Sequence, residues 1–174
     1  MKKHTLSIII FNLFLLTALT LSSCRSTSNL LSFAQEKGTL LFIKPVESKN
    51  SAIPFFTIDF TAIVNSGEIV DSAAVKYSIC INNMSRKAIE ELNCEFVIGD
   101  TVIPLSHTTL YIEKYKKSGI KIRFESKLSP EEARSIIESN EALSIQISNN
   151  DAGFSTILPL AKFKEELNEL RIYL

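Results

Sequence analysis

The sequence predicts a mainly β protein, a β-sandwich of about eight or nine strands with two helices. Short alternating runs of apolar residues recur between residues 39 and 158, and turn residues separate them at regular spacing. Two segments carry helix patterns, a short one near 130–139 and an amphipathic one at the C-terminus. The length of the chain beyond residue 38 suits a single domain.

The strands are predicted from the alternation of apolar side chains. It is clearest in 56–64, where Phe56, Ile58 and Phe60 begin an apolar row, and in 75–81, beyond the turn Asn65-Ser66-Gly67. Because every second side chain of a strand lies on the same face, both strands should be half-buried. The other predicted strands are 40–44, 92–98, 101–105, 108–113, 120–124, 143–147 and 154–158.

The first helix has a recognisable start. Ser129 supplies an N-cap, Pro130 occupies the first helical position, and Glu132 is placed to complete a capping box. This helix is predicted to run to about Ser139 and to bury Ala133, Ile136 and Ile137. The C-terminal helix is predicted to place four apolar residues on one face, namely Leu160, Phe163, Leu167 and Leu170.

The first 23 residues have the layout of a secretory signal. Lys2 and Lys3 precede an apolar run that is shorter than the roughly 20 residues of a membrane-spanning helix. The run ends in Leu21-Ser22-Ser23-Cys24, which resembles the lipobox cleaved by type II signal peptidase in bacterial lipoproteins. The resemblance implies removal of residues 1–23 and acylation of Cys24. The alternatives are a plain signal peptide and an uncleaved membrane anchor.

The expected organisation is a removed signal peptide (1–23), a lipidated tether (24–38) and a single β-sandwich domain (39–174). The resemblance to lipoproteins implies attachment to a membrane through acyl chains on Cys24, and two or three chains hold a protein far more firmly than one. Arg25 stands where an aspartate resembles the inner-membrane retention signal of enteric bacteria. This difference favours the outer membrane of the cell envelope, on its periplasmic or surface side.

Composition excludes some classes of function. Loss of Lys2 and Lys3 with the signal reduces 19 basic residues to 17 against 19 acidic ones, a net charge of about −2. There is no basic field of the kind that nucleic acid binding requires, so we expect no nucleic acid partner. The glycines, at positions 38, 67, 99, 119 and 153, are too dispersed for a glycine-rich phosphate loop.

Two cysteines, Cys80 and Cys94, remain in the folded part, and export would permit a disulfide between them. We expect residues 73–82 and 90–98 to form an antiparallel hairpin. The register that unites their apolar faces pairs Ile79 with Cys94, and it points Cys80 and Cys94 to opposite faces. The sequence therefore predicts two free thiols, with Cys94 as a small core residue.

Two segments resemble known sandwich domains. Val75 to Leu92, with Asn83-Met84-Ser85 in the turn, is similar to hairpins of bacterial immunoglobulin-like domains and late-embryogenesis-abundant-like sandwiches. Ala133 to Leu170 resembles the ending of the invasion-associated locus B family, where helix, strand, turn and strand precede a closing helix. Both resemblances imply an immunoglobulin-like β-sandwich with a role in the cell envelope. Neither implies a catalytic residue.

No catalytic, cofactor or metal site is predicted. After cleavage His107 is the only histidine left, which deprives a zinc site of its usual second imidazole, and no Cys-x-x-Cys is present. Asp59, in an aromatic strand, and Asp71 are the most enzyme-like acidic pair, but an outward strand residue and a turn aspartate explain them better. We therefore expect no enzyme, unless Asp59, Asp71 and His107 converge in a cleft.

A basic, aromatic hairpin is the candidate binding surface, and its residues are Tyr111, Lys114, Tyr115, Lys116, Lys117, Lys121 and Arg123. It could meet anionic headgroups or acidic glycans; the alternative is a solvated hairpin whose lysines protect an edge strand from pairing. The leading hypothesis is a non-catalytic interaction or structural module that binds another envelope protein. A small-ligand or glycan-binding lipoprotein is the alternative, and an envelope hydrolase is a remote third.

Overall fold

The computed structural model describes residues 29–82, 84–116 and 119–174. This part of the chain is mainly β, with ten strands in two antiparallel sheets, which confirms the predicted fold class. The strands are β1 (Leu30–Gln35), β2 (Gly38–Ser48), β3 (Phe55–Asn65), β4 (Glu68–Cys80), β5 (Asn93–Ile98), β6 (Thr101–Pro104), β7 (His107–Tyr115), β8 (Gly119–Leu128), β9 (Leu143–Asn149) and β10 (Phe154–Pro159). The helices are α1 (Arg86–Glu90), α2 (Pro130–Glu138) and α3 (Ala161–Asn168), and a 3-10 turn (Glu169–Tyr173) follows α3.

The larger sheet has six strands in the order β1-β2-β3-β4-β8-β7, and the smaller sheet has four in the order β10-β9-β5-β6. One apolar core collects buried side chains from both sheets and from the helices. We call the side of a sheet that contributes to this core its inner face, and the opposite side its outer face. The largest buried side chains include Tyr77, Phe56 and Phe124 of the larger sheet and Phe96 of the smaller one.

The predicted alternation and helix patterns explain most of this arrangement. Phe56, Ile58 and Phe60 of β3 are at most 1% exposed and lie on the inner face, as predicted. The capping box of α2 forms, with Ser129 and Glu132 exchanging side-chain and backbone hydrogen bonds. The four apolar residues predicted to share a face near the C-terminus are all at most 2% exposed. Amphipathic segments therefore fold onto the core where the sequence indicates.

The C-terminal end of α2 is capped by side chains from the segment that follows the sandwich. The ammonium of Lys164 in α3 donates to the carbonyl oxygens of Ile136 and Ile137, at 2.6 and 3.1 Å. Arg171 donates to the carbonyls of Ile137 and Glu138. Burial lowers the pKa of Lys164 to about 8. Because the last carbonyls of a helix lack intrahelical partners, these cations satisfy them and complement the helix dipole.

The strand β2 is longer at both ends than predicted. It continues past Pro45, where we expected it to end, because the register shifts between Ile43 and Val46 and a bulge tolerates a residue without an N–H. It begins at Gly38, whose φ is 140°. A Cβ at Gly38 would stand 2.5 Å from the carbonyl oxygen of Val64, so only glycine lets the β1–β2 turn approach β3 this closely.

Two predictions about chain segments are wrong. Residues 30–35, assigned to the tether, form β1, which pairs with β2 from Leu30↔Ile43 to Gln35↔Gly38. The expected hairpin of 73–82 with 90–98 does not form, because α1 separates β4 from β5 and carries the chain to the other sheet. The interpretation of Val75 to Leu92 as a sandwich hairpin fails for the same reason.

The predicted free thiols are confirmed, although the reason given for them was the wrong one. Cys80 and Cys94 are both buried and unpaired. They belong to different sheets, since Cys80 ends β4 of the larger sheet and Cys94 lies in β5 of the smaller one. Cys94 is part of the apolar core, as expected.

Candidate functional site

The predicted lipidation site, Cys24, lies outside the described residues, but Asn29, the first described residue, makes several contacts. The side-chain amide of Asn29 donates to Oε1 of Glu166 in α3 at 2.6 Å, and its backbone N–H donates to Oε2 of the same carboxylate. The carbonyl of Asn29 accepts a hydrogen bond from the backbone N–H of Lys44 at 2.9 Å. These contacts, which we call the Asn29 clamp, fix the chain five residues after Cys24.

The outer face of the larger sheet has a charged half, formed by β3, β4, β8 and β7. The strand register places Asp59, Lys76 and Glu125 in one row, and it sets Arg123 two residues before Glu125 in β8, opposite Ser78. Lys76 forms an ion pair with Glu125 at 3.4 Å. Each of these cations therefore has a partner on the sheet itself.

Asp59 is the one deeply buried charge of this half. It is only 1% exposed, and its Oδ2 accepts a hydrogen bond from Nη2 of Arg123, whose Nη1 donates to the Ser78 hydroxyl at 3.1 Å. Oδ1 of Asp59 has no hydrogen-bond partner among the described residues. Burial raises the pKa of Asp59, and the guanidinium of Arg123 opposes that rise. The pair is built as a structural contact with one unsatisfied oxygen.

The predicted binding hairpin exists as β7–β8, but several of its charges are already partnered. Arg123 is paired with Asp59, and Lys121 forms an ion pair with Glu113. Lys116 lies over the ring of Tyr115, at 5.1 Å from its centroid. Lys117 lies outside the described residues.

The remaining predicted members of the hairpin are Tyr111 and Lys114, both exposed. Tyr111 is 46% exposed on the outer face, opposite Arg123. Lys114 pairs in register with Ile120, on the other side of the sheet from Tyr111. The structure thus divides the six described residues of the predicted set between two faces and several local pairs, and the binding role of the hairpin stays a prediction.

The other half of the same outer face, formed by β1, β2 and β3, is apolar. Leu41 and Ile43 of β2 are buried in the core, so alternation turns Leu40 and Phe42 to the outer face. The register then places Phe33 beside Leu40, and Leu31 beside Phe42. Ile63 of β3 pairs with Leu40. We call these five residues the outer apolar patch, comprising Leu31, Phe33, Leu40, Phe42 and Ile63.

Phe33 is the most open member of the outer apolar patch. Its side chain is 50% exposed, and the other four members are half-buried. None of the five belongs to the buried core or to the residues packed against it. The patch is therefore a surface feature of the sheet, and part of it lies on β1, the first strand of the described chain.

The three groups whose convergence would indicate an enzyme do not converge. Asp59 lies on the outer face, whereas His107 lies on the inner face with its ring 4.4 Å from that of Phe124. Asp71 is exposed at a bulge of β4 and has a φ of 64°. Burial lowers the pKa of His107 and raises that of the Cys94 thiol to about 12, so both groups are neutral near pH 7.

A surface cavity of about 480 Å³ lies where three loops meet, and sequence analysis missed it. Its apolar lining includes Ile81, Met84 and Phe154, and Ser51 and Asn82 add polar groups. The volume falls within the range of small-molecule sites. The lining comes from the β2–β3 loop, from the β4–α1 connection with α1, and from the β9–β10 turn with the start of β10. No local pattern links these segments in the sequence.

The described chain is an antiparallel two-sheet β-sandwich protein with a partnered charged half and an apolar half on one outer face. No described helix is long and apolar enough to cross a membrane. Within the same residues, no group of three or more His, Cys, Asp or Glu side chains is placed to hold a metal ion. No protein-family model, curated protein or solved structure matches the chain.

Proposed function

We propose that this chain is a lipid-anchored protein of the bacterial cell envelope, and that its β-sandwich acts as a non-catalytic interaction or structural module. The carrying observation is the position of the lipobox, since Cys24 lies only five residues before the Asn29 clamp. Acylation of Cys24 would hold the domain directly at a membrane, and Arg25 favours the outer membrane. Another envelope protein is the expected partner.

The placement of the ionisable groups supports a non-catalytic role. Asp59 and Arg123 neutralise each other, and Lys164 caps a helix. Cys94 is neutral in the apolar core, and the partly buried His107 is neutral against the ring of Phe124. General acid–base catalysis needs titratable groups that reach a shared substrate position, and these groups instead serve the fold.

The anchor is tested with Cys24→Ala in the full-length chain. Cells grown with a labelled fatty acid should incorporate label into the wild-type protein and none into the variant, which should accumulate as unprocessed precursor. Ser28→Ala, four residues further on, is the matched control and should be labelled and processed normally. Normal processing and membrane retention of Cys24→Ala would contradict the lipoprotein assignment.

The interaction role is tested by crosslinking in intact cells, followed by purification and mass spectrometry. We expect one envelope protein in near-equal amount, with crosslinks confined to one face of the sandwich. Recovery of no specific protein in repeated experiments would count against an interaction module.

A second candidate function, small-ligand binding, is favoured by the 480 Å³ cavity alone. Ala88 lines it and belongs to α1, so Ala88→Phe would fill part of the space without changing a charge. Native mass spectrometry of the protein purified from cells should then show an adduct that the variant lacks. Identical spectra without any adduct would remove this candidate.

A further inference from the structure

The surfaces next to the Asn29 clamp differ in chemistry. On one side lies α3, where Lys162 and Glu165 are exposed next to the carboxylate that holds Asn29. On the other side β1 leads directly into the outer apolar patch. Leu31 is two residues from Asn29, and Phe33 is four residues away. Of these two neighbouring surfaces, the outer face of the sheet is the apolar one.

We propose that the outer apolar patch rests on the lipid bilayer and that it orients the sandwich on the membrane. This inference rests on the proposed function, because it requires an acylated Cys24. The occupant of the patch is thus a lipid surface, contacted by Phe33 and Leu31 of β1 and by the neighbouring apolar residues of β2 and β3.

The length of chain between the acylation site and the fold supports this contact. Five residues span at most about 17 Å when fully extended. Along β1, Phe33 lies about 14 Å from Asn29, at roughly 3.4 Å per residue. The distance from Asn29 to Phe33 is therefore shorter than the fully extended chain from Cys24 to Asn29. A bilayer that receives the acyl chains at Cys24 is within reach of this face without any change in the fold.

The protein contains no tryptophan, so the fluorescence of a single introduced indole reports on its own position alone. Phe33→Trp places a single indole in the patch. The matched control is Val102→Trp, on the outer face of the smaller sheet, since Val102 is 52% exposed and pairs with Val97 on the face away from the core. Both variants are expressed from the full-length sequence, isolated in lipidated form, and reconstituted into vesicles of phosphatidylethanolamine and phosphatidylglycerol that contain brominated phosphatidylcholine.

Brominated acyl chains quench an indole only at contact distance. We expect quenching several-fold stronger for Trp at position 33 than at position 102, together with a blue-shifted emission and protection from aqueous acrylamide. Equal, weak quenching of both variants in vesicles that retain the protein would overturn the membrane contact and leave the anchor intact. Acrylamide protection of position 33 without lipid quenching would also overturn it, and would assign the patch to a second copy of the chain.

Vesicle flotation separates this failure from failure of the proposed function. If the protein does not float with the vesicles, and mass spectrometry finds no acyl group on Cys24, then the lipid anchor and the membrane contact are both refuted. If it floats through its acyl chains and only the quenching pattern fails, the anchor stands and the inference alone is refuted.

Discussion

The charged half and the apolar half of the larger sheet's outer face differ in whether their side chains have partners within the fold. In the charged half, Arg123 and Lys76 have carboxylate partners, and Asp59 is as buried as a core residue. In the apolar half, Phe33 is half exposed and has no place in the core. Both halves belong to the same sheet and share β3, so secondary structure alone does not produce the difference.

The comparison shows that the charged side chains named here are paired within the fold, whereas the apolar side chains are left without a place in the core. A buried ion pair costs desolvation that its partners only partly offset, and it becomes strongly unfavourable when one partner is removed. An exposed apolar side chain contributes little to folding, because much of its surface stays in water. Substitutions in the two halves should therefore have unequal effects.

The largest loss of stability is expected for Arg123→Met. The variant leaves the Asp59 carboxylate buried without its cation and should lose about 3 kcal/mol of unfolding free energy in urea titrations. The double variant Asp59→Asn, Arg123→Met removes the orphaned charge and should recover most of the loss. If the single and double variants prove equally unstable, the uncompensated charge is not the cause.

The same variant should have a distinctive pH dependence. Burial raises the pKa of Asp59, and removing Arg123 removes a group that lowers it. A carboxyl whose folded-state pKa is raised stabilises the fold at low pH and loses that contribution as pH rises through the folded pKa. Arg123→Met should therefore be closest in stability to the wild type at acidic pH and should fall behind as pH increases. A constant difference across urea titrations at several pH values would contradict this mechanism.

A small loss of stability is expected for Lys121→Met. Its ion pair with Glu113 joins side chains that are 21% and 46% exposed, and exposed pairs contribute only about 0–1 kcal/mol. Lys121 also lies 5.1 Å from the ring centroid of Phe55, a contact the methionine side chain would keep in apolar form. Urea titration of Lys121→Met and Arg123→Met side by side compares the contribution of an exposed ion pair with that of a buried one. A loss of unfolding free energy as large as that of Arg123→Met would contradict the expected difference between the two pairs.

The smallest effect on stability is expected for Phe33→Thr, within about 0.5 kcal/mol, as for most surface substitutions. Threonine is β-branched and therefore suits a strand, and the substitution removes the exposed ring. Val102→Thr provides the equally exposed control. A loss well above that of the control would show that Phe33 stabilises the fold itself, and the contrast between the two halves would weaken.

The sequence predicted the strands where alternation reports burial on one side only. In β3 and β4 the inner residues are apolar and most of the outer ones polar, so the pattern and the structure agree. The capping box of α2 was predictable for a similar reason, because all of its determinants lie within four residues. Local patterns were sufficient wherever local interactions decide the structure.

Prediction failed where partners are distant in the chain. β1 was missed because it follows a serine-rich polar segment and its apolar residues do not alternate, since Leu30 and Leu31 are adjacent. The apolar run from Leu40 to Ile43 hides that its residues face both sides of the sheet. The sheet change between β4 and β5 depends on α1, a single turn and a half of helix with no strong pattern. The continuous apolar run from Leu40 to Ile43 was the signal in the sequence that could have indicated the outer apolar patch.

The Asn29 clamp has a mechanical consequence. Any pull on an N-terminal anchor would reach Asn29 directly before the edge strand β1, where hydrogen bonds would otherwise break one pair at a time. Because Asn29 is tied to Glu166 in α3 and to Lys44 at the bulge of β2, tension spreads to two further elements before it reaches the pairs of β1. The start of the fold therefore resists peeling at the place where a tethered protein would be loaded.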